Sequence, residues 1–456
     1  MVIMIGSKRL HALDVIRGFM IFYVIFLHAI IQRVFASQGS EFEKVVNEIP
    51  LILAILAFPI ILLSIWGPVF TFISGASTGY NLGSSVFENP ESLNESLKKR
   101  VANSLMLLVI SKISLFFFSG RTLDHPYVTH SLFSGSLETG NLSIPEFLHL
   151  FTCNTLESMA LSGLLLSLFF YIMWKNQKAK PKQTAKTLII LAIAVFLITS
   201  YLRGMVSDSE VMMIKESLWS DRSYLKYYLF LTIYGSRFAM FPVFAFALIG
   251  AAFGVLIAGK VPFKEIFRWV IISGTGFIMV FAISFIYGFD MIGTFANELV
   301  LLQMQCLNIG LMIYLLGICY YFFDVRASKK KKKIKKKERR FLKFIRKYSD
   351  LSLTIYILEP LIAQSWYLLF VFLHNGPFST NFPLIILYVS TVLLSWFLII
   401  QIWKKFNNRF SFEWLMGKGR NIILKFLNGY WLKRFTFREI EPKSYLKLQL
   451  WVARGS

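Results

Sequence analysis

The chain has 456 residues, of which 56% are hydrophobic and 16% aromatic, and its net charge is +24. This composition, with a mean hydropathy of +0.59, excludes an ordinary soluble domain and a disordered chain, and it predicts a multi-pass integral membrane protein. The three cysteines lie in apolar segments, which argues against a disulfide framework and a cysteine-rich metal site, so we expect no bound metal.

The first apolar segment carries three ionisable residues at helical spacing. Arg17 and His28 are eleven residues apart, so on a helix they share one face about 16 Å apart. Asp14 lies one turn before Arg17, at a spacing that predicts an ion pair. Ionisable side chains inside a membrane usually face a cavity or a partner. We therefore take all three as candidate functional residues, with a structural ion pair and a hydrogen-bonded core histidine as the alternatives.

Ten segments are apolar and long enough to cross a bilayer core, which takes about 20 residues per helix. They are residues 12–32, 49–72, 101–118, 151–174, 186–203, 237–258, 266–288, 300–324, 348–373 and 382–403. We expect an all-α fold in which about ten transmembrane helices surround a central polar cavity.

The basic residues predict the orientation of these helices. If the N-terminus is cytoplasmic, most of the 49 Lys and Arg residues fall in cytoplasmic segments, as the positive-inside rule requires, and both termini are then cytoplasmic. The loop 325–347 carries a lysine run between two spans, where contact with anionic lipid is a better explanation than nucleic acid. We therefore expect a transmembrane domain over residues 1–416 and a basic cytoplasmic tail over 417–456 that lies at the inner leaflet of the plasma membrane.

Further polar residues lie inside the predicted spans. Lys112 and Glu157 are in consecutive spans, and we expect them to pair with each other. Glu359 could pair with Arg17 or take a proton from His28. Gln305 and Asn308 are one turn apart and could line the same cavity or form hydrogen bonds between helices. The long outer loops, 119–150 and 204–236, could form an acceptor site or be plain connections.

Several segments together resemble the transmembrane acyltransferase superfamily, which includes the acyltransferase-3 proteins and the heparan-α-glucosaminide N-acetyltransferase group. The opening segment, Arg9-Leu-x-x-Leu-Asp14-x-x-Arg17-Gly18 with His28, is similar to the family's first-helix signature. The later segments with family-like patterns are Gly67–Gly75, Phe241–Gly254, Ser352–Pro360 and Phe412–Leu415. Glu359 stands where the late pattern often has histidine, so the resemblance assigns no proton transfer to a histidine there.

The resemblance implies an acetyl-CoA-dependent O- or N-acyltransferase that acts on an extracytoplasmic acceptor, and we expect the acceptor group to be a hydroxyl or amine of a sugar. His28 would then be the catalytic base or carry the acetyl group, and Arg17, Asp14 and Glu359 would support it. The expected donor-binding residues are Pro68, Phe70, Ser74, Gly75, Lys98, Lys99 and Arg100. Helix packing for Ser74 and Gly75, and topology signals for the basic residues, are the structural alternatives.

Two other functions are compatible with the sequence. Buried ionisable residues also suit a proton-coupled transporter, although the inverted repeats common in carriers are not evident. A non-catalytic membrane scaffold is the third possibility. The acceptor and the oligomeric state, including a homo-oligomer, are left open by the sequence.

Overall fold

The computed structural model describes residues 9–30, 67–119, 130–175, 179–206, 208–235, 238–286, 302–326, 336–378 and 381–436. Within these ranges every regular element is helical, and no strand occurs. In chain order the α-helices are α1 (His11–Leu27), α2 (Gly67–Glu88), α3 (Leu93–Phe117), α4 (Leu132–Thr139), α5 (Thr155–Trp174), α6 (Pro181–Met205), α7 (Asp208–Ser220) and α8 (Tyr224–Phe230). They continue with α9 (Met240–Ala258), α10 (Phe263–Ile286), α11 (Leu302–Tyr320), α12 (Lys336–Asp350), α13 (Ser352–His374), α14 (Phe382–Lys405) and α15 (Phe412–Thr436).

Nine helical segments in the described part of the chain are long and apolar enough to cross a membrane. They correspond to nine of the ten predicted spans and confirm a multi-pass helical protein. Their ends differ from the prediction by at most about five residues, except that the segment predicted as 101–118 begins at Pro90. The remaining predicted span, 49–72, lies outside the described residues up to position 66. The total of ten spans and the cytoplasmic placement of both termini stay predictions.

Helix α2 is longer than the sequence pattern indicated. It runs to Glu88, whereas the prediction ended the second span at residue 72. Its Gly, Ser and Thr residues lower its hydropathy, yet they allow close packing on α9, because small residues let helix backbones approach. A Cβ atom at Gly75 would lie 2.2 Å from the carbonyl oxygen of Ala247, and one at Gly250 would lie 2.1 Å from that of Phe72.

The basic helix α12 crosses α1 and leads directly into α13. A Cβ atom at Gly18 would meet the backbone of Ile345, so the two helices touch at this glycine. The Phe22 and Tyr348 rings pack edge to face with centroids 5.7 Å apart. This crossing brings the start of α13 close to α1, and the two helices then share the buried residues of one core cluster.

The C-terminal helix α15 is continuous across the predicted boundary at residue 416. Its Gly419 lies against Met106 of α3, so this helix packs on the transmembrane bundle. The lysines before residue 336 and the tail after residue 436 lie outside the described residues.

Candidate functional site

The N-terminus of α1 is held by carboxylates from other parts of the chain. Leu10 precedes the helix and offers no side-chain cap. Asp324 provides the missing cap, because its two oxygens accept the backbone N–H groups of His11 and Ala12 at 3.0 and 2.8 Å. The first turn of a helix needs such acceptors, since its N–H groups have no partner within the helix.

The predicted ion pair between Asp14 and Arg17 is wrong. Asp14 pairs with Arg9, which lies just before α1 and also donates to Asp350 at 2.8 Å. Arg9 is outside the helix, so its side chain can fold back over the first turn and reach both carboxylates. In the described part of the chain, Arg17 is left with no ion pair or hydrogen bond.

Arg17 instead lines a cavity of about 210 Å³ between α1, α2, α3, α5, α13 and α15. Arg100 lines the same cavity and donates from Nη2 to the Ser74 hydroxyl at 3.0 Å. The Nε atom of Arg100 is buried and has no hydrogen-bond partner among the described residues. The cavity therefore presents two arginines, and no ion pair neutralises either of them within the described ranges.

Glu413 is the carboxylate of this cavity, but it is engaged elsewhere. Its Oε1 atom accepts the backbone N–H groups of Leu353 and Thr354 at 2.6 and 3.1 Å, and Oε2 accepts the Thr354 hydroxyl. Glu413 thus caps α13, whose preceding residue Leu351 offers no side-chain cap. Burial raises the pKa of the Glu413 carboxyl above its ordinary value, against these hydrogen bonds.

His28 and Glu359 form a close pair between α1 and α13. The distance from His28 Nδ1 to Glu359 Oε2 is 2.7 Å. The Glu359 side chain is 1% exposed and that of His28 is 26% exposed. The second carboxylate oxygen of Glu359 has no hydrogen-bond partner among the described residues. Of the two partners that the sequence allowed for Glu359, the structure therefore selects His28 and not Arg17.

The pair lies beside the cavity and does not line it. Tyr356 lines the cavity and precedes Glu359 by three residues on α13, a rise of about 4.5 Å. Its ring packs against that of Phe70 with centroids 6.0 Å apart. Arg17 and His28 are thus on one helix as the sequence indicated, but Arg17 faces the cavity and His28 meets Glu359 further along.

The predicted donor-binding residues fall into two groups. Phe70, Ser74 and Arg100 line the cavity. Gly75 and Pro68 are buried in the packing of α2, and Gly75 faces α9. Gly75 therefore serves close helix contact, which was its structural alternative.

Lys98 and Lys99 lie outside the cavity lining, in contrast to the next residue, Arg100. Lys98 donates to the side chain of Asn428 at 3.2 Å, and Lys99 pairs with Glu95 at the exposed surface. One helical turn holds 3.6 residues, so three consecutive basic residues cannot all face one cavity. The structure brings only Arg100 to it.

A second polar cluster lies at the other end of α3 and α5. The predicted pair between Lys112 and Glu157 is confirmed, with Nζ and Oε2 2.7 Å apart. Tyr228 donates its hydroxyl to Glu157, and Lys112 lies 4.8 Å above the centroid of the same tyrosine ring. Glu157 is fully buried, and each of its oxygens accepts a hydrogen bond. The described part of the segment 204–236, a predicted outer loop, thus supplies a partner that sequence reasoning did not assign.

Sequence reasoning missed three residues that shape the site. Asp324 and Glu413 cap α1 and α13 from a distance, and Tyr356 lines the cavity. Asp324 follows an apolar span and Glu413 lies in a family-like segment, so a signal existed. Neither signal says which helix end receives the carboxylate, because that contact spans 312 residues in one case and 60 in the other.

The apolar helices and the polar cavity among them define this chain as an integral multi-pass membrane protein. A family model described as an acyltransferase domain, acyltransferase-3, matches residues 10–400. The chain belongs to this family, which confirms the resemblance found in the sequence. No curated relative and no solved structure shows significant similarity to the chain.

Proposed function

We propose that the protein transfers an acetyl group from cytoplasmic acetyl-CoA to a hydroxyl or amine of an extracytoplasmic, sugar-like acceptor. The observation that carries this proposal is that an arginine-lined cavity lies beside a pair formed by the partly exposed His28 and the buried Glu359. The family supplies acyl transfer as the reaction class. Acetyl-CoA as the donor and a sugar as the acceptor are parts of the proposal.

The cavity supports an anionic donor. A cation inside a helical bundle is costly unless a counter-charge accompanies it, and neither Arg17 nor Arg100 forms an ion pair among the described residues. Phosphate groups of CoA are suitable counter-charges, because guanidinium groups bind phosphate oxygens through paired hydrogen bonds. The thioester would then extend along α13, past Tyr356, toward His28.

His28 is the proposed general base. The Glu359 carboxylate accepts a hydrogen bond from Nδ1–H, which leaves the lone pair of Nε2 free to take a proton. Glu359 also stabilises the imidazolium that forms, as a carboxylate does in a catalytic triad.

The transfer step balances with these two residues. The acceptor O–H or N–H gives its proton to His28 Nε2 while its oxygen or nitrogen attacks the thioester carbonyl carbon. The C–S bond then breaks, and the sulfur takes the proton from His28 and leaves as the free thiol. Attack by His28 itself, which gives an acetyl-imidazole intermediate and ping-pong kinetics, is the alternative route.

Purified protein mixed with acetyl-CoA and a panel of sugars and amino sugars tests the proposal by release of free thiol. We expect His28→Ala to lower transfer by about 10²- to 10⁴-fold, the range for loss of a general base. The melting temperature should fall, because the buried Glu359 carboxylate loses its partner, so transfer is compared at a temperature at which both proteins are folded. His374→Ala, at an exposed histidine near the end of α13, is the matched control and should keep full activity.

A fully active His28→Ala protein contradicts the mechanism. Movement of a sugar or proton across vesicles without any dependence on acetyl-CoA would instead support a transporter. Stabilisation of the wild-type protein by acetyl-CoA, but not by unrelated nucleotides, supports the donor assignment.

A further inference from the structure

Helix α11 carries buried amide groups that the fold does not satisfy. Gln305 is 2% exposed and Asn308 is 1% exposed. The Oε1 atom of Gln305 and both amide atoms of Asn308 have no hydrogen-bond partner among the described residues. Buried polar groups are nearly always paired, because an unpaired one loses its hydrogen bonds to water without replacement. Two such amides one turn apart indicate a place for a polar ligand.

The packing of α11 shows which way these amides face. The opposite side of the helix lies on α10, where the Tyr314 hydroxyl and Thr275 are 2.6 Å apart. Gln305 lies about 180° from Tyr314 around the helix, at 100° per residue. Asn308 shares the Gln305 side at one-turn spacing. Besides α10, helix α11 packs against α1, α2 and α9. The amides, on the side away from α10, therefore lie on the side of α11 that meets these three helices.

Their depth follows from the Asp324 cap. Asp324 Oδ2 accepts the N–H of Ala12 at 2.8 Å, so the end of α11 and the start of α1 lie at one level. His28 is sixteen residues after Ala12, and Asn308 is sixteen residues before Asp324. Two antiparallel helices that pack together rise about 24 Å over this length, so Asn308 lies at about the depth of His28.

We propose that Asn308 and Gln305 form the subsite that binds hydroxyl groups of an uncharged, polyhydroxylated acceptor beside His28. This inference rests on the proposed function and narrows its acceptor to a neutral sugar. An amide both donates and accepts hydrogen bonds and carries no charge, so it matches a hydroxyl group. It offers no counter-charge to an ammonium group. The acceptor hydroxyl that reaches Nε2 of His28 would be held by neighbouring hydroxyls on these amides.

The test compares Asn308→Leu with wild-type protein, using methyl α-D-glucopyranoside as the acceptor and acetyl-CoA as the donor. Leucine has the same number of side-chain heavy atoms but no polar group. We expect the KM for the glucoside to rise about tenfold or more and the KM for acetyl-CoA to stay within about twofold. The melting temperature should rise or stay unchanged, because an unpaired buried amide has been removed.

Two controls accompany this variant. Met312→Leu, one turn further along the same face of α11, preserves volume and should leave both KM values unchanged. Gln305→Met removes the second amide and should raise the glucoside KM alone. If Asn308→Leu lowers the melting temperature and leaves the glucoside KM unchanged, the amides are structural and the subsite is overturned. A parallel rise in the acetyl-CoA KM also overturns it.

Failure of the proposed function gives a different result. If wild-type protein releases no thiol from acetyl-CoA with the glucoside or with glucosamine, acetyl transfer to sugars fails. The subsite is then judged by binding alone. Stabilisation by the glucoside that Asn308→Leu abolishes supports it, and equal melting temperatures of both proteins with and without the glucoside overturn it.

Discussion

Two groups of cations inside the bundle are treated in opposite ways. Lys112 has a counter-charge within the fold, because its ammonium group pairs with one oxygen of Glu157. The other oxygen of Glu157 accepts a hydrogen bond from the Tyr228 hydroxyl, and the ammonium group also lies over the Tyr228 ring. Arg17 and Arg100 face a cavity, and no carboxylate pairs with them among the described residues. A buried cation that forms an ion pair within the fold needs no ligand to account for it. A buried cation without an ion pair indicates that a counter-charge comes from elsewhere, and we propose that a ligand supplies it here.

The sharpest test of this contrast removes both unmatched arginines. Arg17→Gln with Arg100→Gln should lower kcat/KM for acetyl-CoA by about 10³-fold, if each charge-assisted hydrogen bond contributes about 2 kcal/mol. The melting temperature should fall little, because the change breaks no ion pair in the described residues and removes only the hydrogen bond from Arg100 to Ser74. Steady-state kinetics and thermal unfolding in detergent measure both quantities.

Lys99→Gln is the matched control for the arginines. It changes the residue next to Arg100 in the chain. The exposed ion pair of Lys99 with Glu95 contributes little to stability. An equal loss of kcat/KM in this variant would contradict a donor site inside the cavity.

Replacement of Lys112, which has an ion-pair partner, should lower stability and leave donor binding unchanged. Lys112→Met leaves the buried Glu157 carboxylate without its cation and should lower the free energy of unfolding by about 3 kcal/mol. The KM for acetyl-CoA should stay unchanged. Chemical or thermal unfolding, measured with the donor kinetics, separates the two effects.

Adding Glu157→Gln to Lys112→Met removes the stranded charge and should restore part of the lost stability. A double variant as unstable as the single one would show that packing, not charge, holds this cluster together. A changed donor KM would contradict the division between the two groups of cations.

The smallest expected effect is a pH dependence near the matched cluster. His149 is buried between Ser119 and the carbonyl of Leu115, and burial lowers the pKa of its imidazole to about 4. The nearby charges of His130 and Lys112 act in the same direction. Below about pH 6.5 the unfolded chain binds a proton at this histidine that the folded chain does not. Stability is therefore complete above pH 6.5 and falls as the pH drops toward 4, by about 1.4 kcal/mol at pH 5.5.

Thermal unfolding of wild-type protein and His149→Asn at several pH values checks this effect. The difference between their melting temperatures should narrow as the pH falls from 6.5 to 4. A constant difference over this range would show that His149 does not titrate as its burial implies.

Much of the fold was predictable because hydrophobic length is a local property. The predicted spans 151–174 and 382–403 lie within a few residues of α5 and α14, since apolar runs of this length cross a bilayer. Helix α2 was misjudged because glycine, serine and threonine give low hydropathy. Its burial comes from close contact with α9, which only the partner helix reveals.

The candidate site divides in the same way. The spacing of Arg17 and His28 predicted one helical segment that carries both, and the structure has such a segment over His11–Ile30. The consecutive spans of Lys112 and Glu157 predicted their pairing, which the structure confirms. The partners of Asp14 and Glu359 were not predictable, since Arg9 competes for Asp14 and His28 for Glu359. The partner of each carboxylate depends on which side chain the tertiary structure brings within contact distance of it.

The sequence by itself determined a multi-pass helical membrane protein of the acyltransferase-3 family, because apolar length and short motifs are written along the chain. The tertiary structure alone decided which charges are neutralised and which face a cavity. That decision requires helices separated by hundreds of residues to meet, and helical periodicity fixes only the side of a helix on which a residue lies, not the neighbour it finds there.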